Sequence, residues 1–290
     1  MKNYLNAIFI CFIISLLFHC TTGTITVKDE KPENKEKVKT EKKEEKLRPL
    51  RMSEEALLGK AISAKIMTAY GLVRDKKISS YINGIGQTLA MASERPDTYS
   101  GYLFAVLDTE KPAAYAAPDG LIFVSKGLVK NCRNEDELAY LLAKEISHIV
   151  NNDPINNLDK QVIHDMNKSF QAKKNNLPDR EALAKAFALA VDAVMKNLET
   201  GYSQDINTKA FKAAVNILAK TGYSVYAVNS ILSQISSDSL YAKMNFDIEK
   251  VKKEINNYIT NLEADKTNSN MFKKANANRL KRFQSIADAL

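Results

Sequence analysis

The stretch Leu142-Ala143-Lys144-Glu145-Ile146-Ser147-His148 differs at one position from a known metal-binding pattern. In His-Glu-x-x-His, two histidines on one helix face bind zinc, and the glutamate between them is the general base of a metalloprotease. Glu145 and His148 match this pattern, whereas Lys144 stands where the first histidine is expected. The stretch therefore predicts a helix of the zinc-protease type and leaves open whether it still supports catalysis.

Helix and strand signals flank this motif on both sides. Asn134 and Glu137 have capping-box spacing, so we expect the motif helix to begin there. Apolar periodicity and turn residues predict helices over 53–71, 76–93, 180–199, 203–221 and 225–236, strands over 102–107 and 121–124, and a turn at 118–120. The residues after 236 look helical and highly charged. Strands followed mostly by helices indicate an α+β class with a small sheet.

The overall composition is that of an ordinary globular protein. The 290 residues are 45% hydrophobic and 26% charged, with a formal net charge of +8. The sequence contains no P-loop and no GxGxxG, and no basic stretch interleaved with aromatic residues. We therefore predict no nucleic-acid partner.

Residues 1–20 have the pattern of an export signal. A positive Lys2 precedes the apolar run 7–18, which is short for a membrane span. The following Leu17-Phe18-His19-Cys20 resembles the lipobox of bacterial lipoproteins, in which the cysteine is lipidated, although His19 replaces the expected small residue. A lipidated Cys20, a plain signal peptide and an uncleaved anchor remain alternatives, and each places the protein outside the cytoplasm.

Residues 21–50 are predicted to form a flexible tether. Nine basic and seven acidic residues lie between Lys28 and Arg48, with almost nothing apolar. Such a segment buries too little surface to fold, and thirty flexible residues reach roughly 30 Å. Only Cys132 remains in the part that follows, so no disulfide is expected within it.

Several runs around the motif together resemble metallopeptidase family 48. This family includes the CAAX prenyl endopeptidases and periplasmic metallopeptidases linked to outer-membrane quality control. The resemblance covers roughly residues 54–235 and is carried by Arg95-Pro96-Asp97, by 104–108, by the block 114–128 and by 134–139. Ala113 departs from it, because the family usually has asparagine there. The resemblance implies a zincin-like fold of the gluzincin type over 51–236, with the sheet beside the motif helix, and a further helical region over 237–290.

The same resemblance implies a degenerate zinc site. The family's third ligand is a glutamate in a Glu-Ala-Asp triplet, and the spacing from 201–203 and from 222–223 places that triplet on Lys209-Ala210-Phe211. Lys209 would then replace the third ligand, and Phe211 the aspartate that orients the first histidine. His148 would be the only retained ligand, with Glu145 an idle general base. Each ammonium 4 Å from a zinc ion would be repelled by about 8 kcal/mol at an effective dielectric of 20. We therefore predict no bound cofactor.

The remaining polar side chains have simpler interpretations. His148 is expected to be a packed helix residue, and His164 a surface residue. Glu145 shares its helix face with leucines, so we expect Lys209 or Lys144 to balance its charge.

Three functions fit these observations. The first is a pseudopeptidase of the bacterial cell envelope, held at the periplasmic face of a membrane by its lipid anchor. It would bind a protein or an extended polypeptide, which we expect to add to an edge strand over 121–124. The second is an active zinc endopeptidase with an unusual ligand set, and zinc would then be its cofactor. The third is a structural envelope lipoprotein whose cleft is filled.

Overall fold

The computed structural model describes residues 48–171, 180–237, 247–264 and 277–290. The predicted signal segment, Cys20 and most of the predicted tether lie outside these residues. The helices are α1 (Met52–Tyr70), α2 (Lys76–Met91), α3 (Lys126–Asn131), α4 (Glu135–Val150), α5 (Asp153–Asn156), α6 (Lys160–Gln171), α7 (Arg180–Thr200), α8 (Gln204–Thr221), α9 (Ala227–Ser237), α10 (Ile248–Ala264) and α11 (Ala277–Ala287). The strands are β1 (Leu103–Leu107), β2 (Ala114–Ala117) and β3 (Leu121–Ser125). The predicted mostly helical α+β class is confirmed.

None of the helices in these ranges combines the length and the apolar composition that crossing a bilayer requires.

The three strands form one sheet in the order β1-β3-β2. β3 pairs in parallel with β1 and antiparallel with β2, to which it is joined through the short 3-10 turn Pro118–Gly120. The expectation that residues 121–124 form an edge strand is therefore wrong. The tight turn folds β2 back along one side of β3, and β1 takes the other side. The edge strand against α4 is β2.

The outer edge of β1 is closed by side chains of α2. The Asn83 amide donates to the Phe104 carbonyl oxygen at 2.7 Å and accepts from the Phe104 N–H at 3.1 Å. Gln87 donates to the Tyr102 carbonyl oxygen at 2.6 Å. These amides take the place of a neighbouring strand. Within the described sheet, the outer side of β2 is the remaining edge.

Alternation along the strands gives the sheet two apolar faces. Val106, Ala116 and Ile122 belong to the core formed with α2, α4 and α8. Tyr115 and Phe123 belong to the second core, formed with α1, α6 and α7. The first of these faces places β2 beside the motif helix, α4.

The C-terminal helix α11 packs onto the first turn of α4. The Arg282 Nε donates to the Glu135 carboxylate at 2.8 Å, and Arg279 donates to Asp136 at 3.1 Å. Both carboxylates are buried, with 0% and 2% exposure, so each needs such a partner. Helices α10 and α11 thus belong to the same compact unit, Lys46–Leu290, as the motif helix.

Candidate functional site

The start of α4 is fixed by local side-chain hydrogen bonds, as predicted. The Asn134 Oδ1 accepts the Glu137 N–H at 3.0 Å, which satisfies one free donor of the first turn. Glu137 reaches back to the N–H of Arg133 at 2.8 Å, one residue before the N-cap. From this start, Glu145 and His148 fall on the buried side of the helix, with 3% and 1% exposure.

Lys144 forms an ion pair with the neighbouring Glu145. The Lys144 Nζ lies 2.8 Å from the Glu145 Oε1, and the two side chains are 15% and 4% exposed. The prediction that a lysine balances the charge of Glu145 is therefore confirmed, and the lysine is Lys144. In this arrangement an ammonium group occupies one oxygen of the carboxylate that would serve as general base.

The two other altered positions, Lys209 and Phe211, lie on α8 and differ in burial. Lys209 is exposed, and the ion pair of Glu145 is with Lys144 instead, so the alternative that Lys209 balances Glu145 is wrong. Phe211 is 2% exposed and its ring centroid lies 6.2 Å from that of Tyr140 on α4. Its site belongs to the apolar core between the two helices, where an aspartate would need a polar partner.

His148 is a buried helix residue, as expected, and it has a carboxylate partner that the sequence analysis missed. Its Nδ1 lies 2.8 Å from the Asp153 Oδ2. The chain leaves α4 through Asn152, which has a left-handed φ of 56°, and turns back so that α5 begins at Asp153. A carboxylate on one ring nitrogen is the usual device for orienting a metal-binding histidine. The sequence signal that could have predicted this partner is an aspartate five residues after His148.

The ring of Tyr202 packs on the ring of His148, a contact that the sequence did not predict. Tyr202 lies between α7 and α8, and its ring centroid is 4.5 Å from that of His148. The Tyr202 hydroxyl and the His148 Nε2 are both buried, and neither has a hydrogen-bond partner among the described residues. Burial raises the pKa of Tyr202 strongly, and the charges of Glu145 and Asp153 raise it further.

A pair of tyrosines lies on the β2 side of Glu145. The Tyr115 hydroxyl donates to that of Tyr70 at 3.3 Å, and the two rings stack with centroids 5.9 Å apart. Burial raises the pKa of Tyr115, and the Tyr70 hydroxyl raises it further, with smaller contributions from Glu199 and Glu145. Glu145 therefore lies within electrostatic reach of tyrosines on both sides, one on β2 and one before α8.

The residues present do not fit a three-ligand zinc site. His148 fits as a single ligand, because its Nε2 is free of protein partners in the described residues and its Nδ1 is held by Asp153. The other two positions carry lysines, which are poor zinc ligands when protonated. No group of three or more His, Cys, Asp or Glu side chains in the described ranges is arranged to hold a metal ion. His164 lies half-buried on α6, a different helix from the one that carries His148.

Comparison with known proteins shows which family has this fold. The model of the family "Peptidase family M48" matches residues 76–285. A protein of Vibrio cholerae serotype O1 named beta-barrel assembly-enhancing protease is 21% identical over 196 residues, which are 67% of this chain and 40% of that protein. The chain thus spans about two fifths of the length of this relative. The match over most of the chain, on the fold that carries the altered motif on α4, shows that the protein belongs to peptidase family M48.

Proposed function

We propose that this protein is an exported, lipid-anchored member of the M48 family that binds a protein or an extended polypeptide without cleaving it. The observation that carries this proposal is the 2.8 Å ion pair between Lys144 and Glu145. It puts an ammonium group where a first zinc ligand would stand and joins it to the carboxylate that would accept a proton. The exposed Lys209 and the core residue Phe211 add no ligand.

The edge of β2 is the proposed binding element for the polypeptide. The Ser125 N–H donates to the Ala113 carbonyl oxygen at 2.9 Å, so Ala114 and Ala116 are at the alternate positions that direct their backbone groups outward. An added strand could hydrogen-bond to these groups. Because the relative from Vibrio cholerae is named for beta-barrel assembly, we propose a partner of that kind, an extended strand of an envelope protein.

A structural envelope lipoprotein is the second candidate, and the burial of β2 favours it. Ala116 has 0% exposure, so the edge strand is covered at this outward-facing position, whereas Ala114 is half-buried. Binding of a polypeptide therefore requires the cover to move, whereas a purely structural protein would keep it in place.

The test uses the full-length chain and β-casein as an unfolded polypeptide. We expect casein to bind, to remain uncleaved over hours, and to do so with no stoichiometric zinc in the protein, because the ligand positions carry lysines. Metal analysis, mass spectrometry of the casein and a binding assay measure the three results. Cleavage that disappears in Glu145→Gln would establish the active endopeptidase instead, and absence of binding would favour the structural candidate.

Lipidation of Cys20 is a separate expectation of the proposal. The short apolar run ends two residues before this cysteine and a polar segment follows it, so the mature chain should begin at residue 20 and carry acyl groups. Intact-mass analysis of the membrane fraction checks this, and Cys20→Ser should release the protein from the membrane or block its maturation. An unmodified Cys20, or a mature N-terminus elsewhere, would contradict the anchor.

A further inference from the structure

We propose that Tyr202 is a side-chain gate over the buried His148, closed in this structure and opened when a polypeptide binds. The inference rests on the proposed function, because it concerns how the bound polypeptide reaches the motif helix. In the closed position the Tyr202 ring packs on the His148 ring, with centroids 4.5 Å apart and planes tilted by 36°.

Two unsatisfied polar atoms disfavour the closed position. The Tyr202 hydroxyl and the His148 Nε2 are buried without a hydrogen-bond partner among the described residues. A buried polar atom that lacks a partner loses its hydration without compensation, which is costly. Rotation of the tyrosine out of the site would expose both atoms to water or to a ligand. The apolar contact between the two rings therefore stabilises the closed position, and the two missing hydrogen bonds destabilise it.

The chain around Tyr202 allows its side chain to move while its backbone stays in place. Gly201 and Ser203 are exposed, so solvent lies on both sides of this short connection. The Asn207 amide donates to the carbonyl oxygen of Tyr202 at 2.7 Å and to that of Ser203 at 3.2 Å. These bonds hold the main chain, and the gate is then a change of the χ1 rotamer of one side chain.

The hydrogen-bonding state of His148 determines which group can bind to it when the gate is open. In a neutral His148 the Nδ1–H donates to the Asp153 carboxylate, which leaves Nε2 as an acceptor. An extended segment of polypeptide supplies the matching donor in a backbone N–H. The occupant is therefore an unpaired main-chain amide of the bound polypeptide, close to the tyrosine-flanked Glu145.

Chemical modification of His148 tests the gate without depending on a partner. Diethylpyrocarbonate modifies accessible neutral imidazoles, and mass spectrometry can follow His148 and the half-buried His164 in the same full-length chain. We expect the His148-to-His164 rate ratio to rise at least tenfold in Tyr202→Ala. In Tyr202→Phe it should fall several-fold and the melting temperature should rise, because the closed position no longer buries an unsatisfied hydroxyl.

Tyr102→Phe is the matched control. Tyr102 is also buried, with 7% exposure, but its hydroxyl donates to the Arg95 carbonyl oxygen at 2.9 Å. This variant should lower the melting temperature and leave the rate ratio unchanged. The opposite signs of the two Tyr→Phe substitutions separate an unsatisfied hydroxyl from a satisfied one.

Two results would overturn the gate. A lower melting temperature in Tyr202→Phe would show that its hydroxyl has a partner, such as a buried water. An unchanged ratio in a folded Tyr202→Ala would show that the tyrosine does not shield His148. Casein should lower the ratio in Tyr202→Ala, because a main-chain N–H bound to the exposed His148 Nε2 blocks its acylation. If the variants behave as expected but casein neither binds nor alters the ratio, the gate stands and the proposed polypeptide binding fails.

Discussion

The triple variant Lys144→His, Lys209→Glu, Phe211→Asp is expected to bind about one zinc ion per chain, whereas the unmodified protein binds none. The variant restores two ligands and the carboxylate that orients the first of them. The retained ligand, His148, is already oriented by Asp153 at 2.8 Å. Zinc at a thousandfold excess over its dissociation constant should stabilise the variant by about 4 kcal/mol. Metal analysis after dialysis and thermal unfolding with and without chelator provide the measurements.

The double variant Lys209→Glu, Phe211→Asp is the control for this experiment. It retains Lys144 and places a carboxylate at the buried Phe211 site, where the side chain is 2% exposed. It should lose stability and gain no zinc, so that recovery in the triple variant is due to the metal. A folded triple variant without zinc would mean that α4 and α8 no longer hold the zincin geometry. The structural candidate would then replace the pseudopeptidase.

Lys144→Met is expected to destabilise the fold by about 3–5 kcal/mol, because it strands a charged Glu145 in the interior. The Glu145 side chain is 4% exposed, and Lys144 is its ion-pair partner at 2.8 Å. Glu145→Gln should cost less, since glutamine is neutral and still forms hydrogen bonds. The double variant should resemble Glu145→Gln alone. Urea unfolding of the four proteins measures the coupling between the two positions.

Lys209→Met provides the matched comparison, because it removes the same charge from an exposed position of α8. Its free energy of unfolding should stay within about 0.5 kcal/mol of the unmodified protein. A comparable loss in both lysine variants would contradict the assignment of Lys144 as the specific partner of Glu145.

Local sequence features predicted the parts of the site that depend on a single helix. Asn134 and Glu137 marked the start of α4, and the spacing of apolar residues placed Glu145 and His148 on its buried side. The expected burial of Glu145 also predicted an ion pair with a lysine, either Lys144 or Lys209. These predictions hold because capping and helical periodicity act over only a few residues.

Local sequence features do not specify contacts between distant segments. The position of β3 between β1 and β2 depends on pairing between residues that are not adjacent in sequence, so the predicted edge strand was wrong. The packing of Tyr202 on His148 depends on how α7 and α8 approach α4. Asp153 reaches the same histidine because of a left-handed turn at Asn152.

The sequence by itself determined the family, the helix that carries the altered motif and the replacement of its first histidine by Lys144. Only the tertiary structure decided which of the two lysines pairs with Glu145 and which side chain covers His148. Residue type and spacing specify a helix and its buried face. The direction of a long lysine side chain and the position of a connecting segment are set by packing against the rest of the fold, and that packing depends on the whole chain.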